Sequence, residues 1–167
     1  MRKMTEENLK SAFNGESQAH MKYLVFADKV EKEGYPNVAR LFKAIAYAEQ
    51  VHAINHYDAL GNVKESLENL QMAIDDENFE VNDMYPAYKA VAELEGEKIA
   101  QRSIYWALQA EKVHSGMYQK ARQAVESGKD IEPRPVYICE KCGYTVEGEA
   151  PDKCPLCGAP KGKFKRF

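Results

Sequence analysis

The chain has 167 residues, 44% of them hydrophobic, and a net charge of -3, which suits one core-bearing domain with a small appendage and gives no case for nucleic acid as the main partner. No stretch approaches the apolar run of about 18 residues that a membrane-crossing helix needs, and Met1 to Lys10 is too polar for a signal peptide. A cytoplasmic protein with no membrane partner is the expectation. Lys161, Lys163, Lys165 and Arg166 make a basic end that reads as a solvated tail.

From about Thr5 to Glu126 the chain is rich in Ala, Glu, Lys, Leu and Gln, with apolar residues alternating at spacings of three and four, which predicts helix. Gly34-Tyr35-Pro36, the Gly61 to Glu65 stretch and Glu95-Gly96-Glu97 divide it into four helices. Their inward stripes are Leu9, Phe13, Glu16, His20, Tyr23, Ala27 and Val30; then Val38, Phe42, Ile45, Glu49, His52, His56 and Ala59. The third runs Leu67, Leu70, Ile74, Glu77, Val81, Met84, Tyr88 and Val91, and the fourth Ala100, Ile104, Ala107, Glu111, His114, Tyr118, Ala121 and Val125. Ser127-Gly128-Lys129-Asp130, with Pro133 and Pro135, ends the fourth helix and opens an extended linker. The expected domains are therefore 1–130, an all-α four-helix bundle, and 131–167, a small β/loop metal module.

Every helix places a carboxylate in the middle of its apolar seam, where an unpartnered charge is costly. Two of these belong to twin motifs, Glu49-Gln50-Val51-His52 and Glu111-Lys112-Val113-His114, set 18 residues after Gly34 and Gly96 when counted to the histidine. The matching frames point to a duplicated helical hairpin. A lone Glu-x-x-His is usually a solvated helix face. Two copies in frame, with Glu16 and Glu77 on the other seams, instead resemble the ligand set of ferritin-like di-iron bundles: one Glu from each of two helices and Glu-x-x-His from each of the others.

Other polar residues leave alternatives open. Asp75 and Asp76 point off the stripe toward solvent, and His20 and His56 suit a hydrogen-bonded supporting role better than ligation. Glu80 is either an exposed edge residue or a fifth carboxylate able to enter the metal shell. Tyr23 and Tyr85 are either core aromatics or phenols that hydrogen-bond a ligand carboxylate. In the module, Cys139-x-x-Cys142 and Cys154-x-x-Cys157 are separated by eleven residues and each pair is followed by glycine, Gly143 or Gly158. That is a tetrahedral four-thiolate site; zinc and iron both accept it, and a neighbouring di-iron centre in need of electrons favours iron.

The residues resemble rubrerythrin over essentially the whole chain: Phe13-Asn14-Gly15-Glu16-Ser17-Gln18-Ala19, Ala48 to His52, Glu77-Asn78-Phe79-Glu80, Met84-Tyr85-Pro86, Ala110 to His114, Cys139-Glu140-Lys141-Cys142-Gly143-Tyr144 and Cys154-Pro155-Leu156-Cys157-Gly158. The resemblance implies a ferritin-like di-iron bundle fused to a rubredoxin-like Fe(Cys)4 domain, a peroxidase that reduces hydrogen peroxide to water in oxygen-avoiding organisms. It implies two bundle irons bridged by Glu49 and Glu111, with Glu16 terminal on one and Glu77 with His114 completing the other. His52 and Glu80 would alternate on the first iron with oxidation state. Tyr23 and Tyr85 match the family's carboxylate-supporting tyrosines, and Cys139, Cys142, Cys154 and Cys157 hold the third iron. Zinc remains chemically acceptable at either site. The expected partners are hydrogen peroxide and an electron donor such as a rubredoxin or an NAD(P)H-dependent reductase. The rival functions are a ferroxidase or oxidase, a non-catalytic iron-binding or storage protein, and, remotely, a zinc-ribbon adaptor.

Chain connectivity adds an expectation about assembly. Ferritin-like order runs helices two and three parallel, so the crossover must cover roughly 27 Å counted from helix rise. About six linking residues reach only about 20 Å. Either the bundle is up-down-up-down or helices three and four dock on a second copy; a homodimer with those helices swapped is the favoured expectation.

Overall fold

Five α-helices precede a small sheet in the structure, a computed structural model that describes residues 1–167. α1 (Lys3–Lys32) and α2 (Pro36–Ala59) form a first hairpin. α3 (Ser66–Phe79), a π-helical turn (Glu80–Met84), α4 (Tyr85–Leu94) and α5 (Lys98–Glu126) form the second. Its chain continues into β1 (Val136–Cys139), β2 (Thr145–Glu147) and β3 (Phe164–Arg166), an antiparallel sheet of order β2-β1-β3. The chain divides into two compact units, Met1–Lys64 and Glu65–Phe167.

Both hairpins turn by the same device. After α1, Gly34 N–H donates to Glu31 O and Tyr35 N–H to Val30 O; after α4, Gly96 N–H donates to Glu93 O and Glu97 N–H to Ala92 O. These paired bonds satisfy the last free carbonyls of each helix and require a left-handed residue, and Gly34 (φ 89°) and Gly96 (φ 74°) provide it. The duplication read from motif spacing is thus a duplication of turn geometry. In the first hairpin Ala27, Ala39, Ala46 and Ala53 are buried, while Phe26, Val38 and Ile45 stay exposed. Alanines at the seam let the two helices approach closely.

The third expected helix differs from expectation. The sequence periodicity reads as one helix through Val91, but the structure interrupts it with a π turn at Glu80–Met84. Pro86 explains the change: it has no N–H to donate to an i−4 carbonyl and its ring crowds the preceding turn. The wider turn, in which Tyr85 N–H donates to Glu80 O, absorbs that defect and lets α4 continue.

Candidate metal centre

In the first unit, α1 supplies Glu16 while α2 supplies Glu49 and His52, whose ligand atoms all lie within 4.8 Å of one another. His52 Nδ1 is 3.4 Å from Glu49 Oε2 and 3.9 Å from Glu16 Oε2. The two carboxyl groups share a hydrogen bond, which raises the Glu16 pKa and lowers that of Glu49. One proton held between them does what a cation would otherwise do. His52 is 54% exposed and loosely held.

The second unit repeats the trio with Glu77 on α3 and Glu111 and His114 on α5, again within 4.8 Å. Here the fit is tighter: His114 Nδ1 is 2.6 Å from Glu111 Oε2 and 3.7 Å from Glu77 Oε1. The imidazole hydrogen bond lowers the Glu111 pKa and raises that of His114. Burial, with Glu111 alongside, pushes the Glu77 carboxyl up to about 7. Its Oε2 is buried without a hydrogen-bond partner. A buried oxygen with nothing to bind, beside a second carboxylate and an imidazole nitrogen, is what a divalent cation would satisfy.

Glu80, at the start of the π turn, adds negative charge beside this trio. Burial raises its pKa, with Glu111 contributing, and burial likewise raises the Tyr85 phenol, with Glu80, Glu111 and Glu77 contributing. Tyr85 packs edge-on to Tyr88 at 6.3 Å. Tyr23 joins an aromatic cluster, 6.3 Å from Phe26 and 6.0 Å from Phe42. Asp75 and Asp76 are exposed, and His20 is satisfied by the Ala46 carbonyl at 2.8 Å through Nδ1.

The four cysteines of the module also converge. Cys139 Sγ lies 3.6 Å from Cys157 Sγ, and Cys142 Sγ 3.6 Å from Cys154 Sγ. A tetrahedron of thiolates at about 2.3 Å from a metal has edges of about 3.8 Å, so the pocket fits such an ion. Gly143 and Gly158, both at positive φ, turn their amides onto the Cys139 and Cys154 carbonyls at 2.9 Å, forming the two knuckles that carry the sulfurs. Burial pushes the Cys142 thiol up, a cost that metal coordination reverses by holding the sulfur as thiolate.

Three polar residues beside the ligands escaped the sequence reading. Buried Ser115 donates to Asn78 Oδ1 at 2.8 Å, tying α5 to α3 next to His114 and Glu77. Thr145, 3% exposed at the start of β2, lies 2.7 Å from His114 Nε2. Ser115 and Asn78 each follow a ligand directly, a signal the apolar periodicity could not weigh. Thr145 is distant in sequence from His114 and carries no such signal.

The rubrerythrin family profile matches residues 7–122, and the profile described as the rubredoxin-like domain of rubrerythrin matches residues 137–165. The chain is 43% identical to Rubrerythrin-2 of Clostridium acetobutylicum, over 98% of this chain and 97% of that one. It is 34% identical to nigerythrin of Nitratidesulfovibrio vulgaris, covering 98% of this chain and 86% of the relative. Solved structures of nigerythrin, in mixed-valence and partially reduced states, superpose with a TM-score of 0.57 at 34% identity, again over 98% and 86% of the two chains. With its ferritin-like helices, its di-iron carboxylate ligand set and its four-cysteine iron site, the chain belongs to the rubrerythrin family.

Proposed function

We propose that this protein is a cytoplasmic hydrogen peroxide reductase of oxidative-stress defence, with 1–130 as its reaction domain and 131–167 as its electron relay. The observation that carries the reading is the pairing of two Glu-Glu-His trios with a fifth carboxylate, Glu80, on a chain that also holds a closed four-thiolate site. A di-iron centre, when bound, supplies both electrons that cleavage of the O–O bond requires, and the four-thiolate iron restores them one at a time. Peroxide takes up two electrons and two protons and leaves as two waters.

The chain's own residues divide the remaining work. Glu49 and Glu111 would be the carboxylates shared by the two bundle irons, Glu16 and Glu77 would each hold one of them, and His114 would be the fixed imidazole. His52 and Glu80 would alternate as ligands of one iron, since neutral imidazole suits the lower metal charge and carboxylate the higher. The π turn favours this role for Glu80, because backbone bonding around it is already irregular. Tyr23 and Tyr85 would support ligand carboxylates by hydrogen bonds in the metal-loaded centre. The cysteines have no open position for substrate, so they pass electrons from a rubredoxin or an NAD(P)H-dependent reductase.

The working form is a homodimer with helices exchanged. α2 ends at Ala59 and α3 starts at Ser66, and the short link between them does not span the crossover that ferritin-like order demands. A second copy then provides Glu77, Glu111 and His114 to the trio of Glu16, Glu49 and His52. Protein purified without oxygen should carry iron at both sites by metal analysis and electron paramagnetic resonance, and should consume peroxide with a reduced rubredoxin as donor. Zinc at the cysteines with no peroxide consumption would instead leave a metal-binding adaptor, and mineral loading would leave a storage protein.

A further inference from the structure

We infer that Thr145 is a positioning residue that couples the cysteine module to the second ligand trio, by fixing His114 and carrying the electron path between the two sites. This rests on the reading of His114 as a metal ligand. The direction of the hydrogen bonds follows from the geometry. The Thr145 hydroxyl donates its one proton to Gly143 O at 3.0 Å, so its oxygen is left to accept at 2.7 Å from His114 Nε2–H. With Nε2 committed as the donor, Nδ1 is the nitrogen that faces Glu111 and Glu77, where the ligand is needed.

The same residues join the two sites by a short chain of bonds. Gly143 is covalently next to Cys142, so the connection runs from the Cys142 thiolate through the Gly143 carbonyl and the Thr145 hydroxyl to the His114 imidazole. The module is held at that spot by packing as well: a Cβ on Gly143 would lie 4.0 Å from Ala110 Cβ, one turn before His114 on α5. Lys141 Nζ sits 6.0 Å from the Trp106 ring centroid on the same helix. Each passage takes one electron from the reduced four-thiolate iron, oxidising it from ferrous to ferric, and reduces one ferric ion of the bundle to ferrous. His114, Thr145 and all four cysteines belong to one compact unit of the chain.

Two measurements on the full-length protein test this. In zinc-loaded protein, the His114 Nε2 proton should be seen by nuclear magnetic resonance as a slowly exchanging, downfield signal; Thr145→Val should speed its exchange at least about tenfold, and Thr145→Ser should restore protection. In iron-loaded protein, fully reduced and mixed with peroxide or dioxygen, the visible band of the four-thiolate iron should reappear about tenfold more slowly in Thr145→Val and at near wild-type rate in Thr145→Ser. Thr145→Ala gives a second deletion of the hydroxyl if the valine variant does not fold. Unchanged exchange and rate in the deletion variants overturn the inference, as does equal slowing by serine and valine, which would make the contact mere packing. A wild type that answers dioxygen but not peroxide, with the Thr145 effects intact, sinks the peroxidase reading and leaves the coupling standing.

Discussion

The two trios share composition and spacing but not setting. Glu16, Glu49 and His52 lie on a hairpin whose histidine is 54% exposed and 3.4 Å or more from its carboxylates. In the other trio His114 is 28% exposed, 2.6 Å from Glu111, and bonded through its far nitrogen to Thr145. Duplication therefore accounts for two ligand sets of equal composition, and the attached module is bonded to one of them, through Thr145. On the proposed exchange of His52 and Glu80, the imidazole that leaves is the one with the longer bonds to its carboxylates.

Removing each histidine breaks the comparison most sharply. His114→Ala should weaken bundle-site metal binding by about a hundredfold or more and abolish peroxide turnover, whereas His52→Ala should weaken it by about tenfold, because a carboxylate can take its place. Cobalt(II) titration followed by peroxide assays of both variants would show it; equal losses would mean the ends are equivalent. Glu80→Gln should lower turnover by about tenfold while leaving the metal content of reduced protein unchanged, as measured by metal analysis beside steady-state kinetics.

Proton competition separates the trios further. The Glu77 carboxyl holds its proton up to about pH 7 in the metal-free protein, and a metal must displace it. Affinity at this trio should therefore rise about tenfold per pH unit until pH 7 and then flatten on Glu77's account. The sign for stability is opposite. A folded-state pKa raised from 4.5 to about 7 stabilises the metal-free fold at low pH, and that contribution is lost as pH rises through this interval. Denaturant titrations of metal-free and zinc-loaded protein across pH 5 to 8 should show the decline only in the former. The smallest effect is where the hairpins agree: Gly34→Ala and Gly96→Ala should each cost about 1 kcal/mol, equally, since both turns need the same left-handed residue.

The framework of this site was legible in the sequence because its signals are local and periodic. Carboxylates in apolar seams, Glu-x-x-His in matching frames and paired Cys-x-x-Cys all express geometry through spacing along the chain. The π turn was not, since Met84-Tyr85-Pro86 reads as ordinary helix until the missing Pro86 donor is followed back to Glu80. Thr145 was invisible for another reason. Its partner is 31 positions away across a β/loop module, and a single threonine beside a cysteine knuckle has many uses. That contact is one of the differences between the two trios.

Mixing fully reduced, iron-loaded protein with hydrogen peroxide and, separately, with dioxygen in an anaerobic stopped-flow instrument tests the function most directly. Oxidation of the ferrous centre should be faster with peroxide than with dioxygen at equal concentration. A faster reaction with dioxygen would contradict the peroxidase reading and make the protein an oxidase.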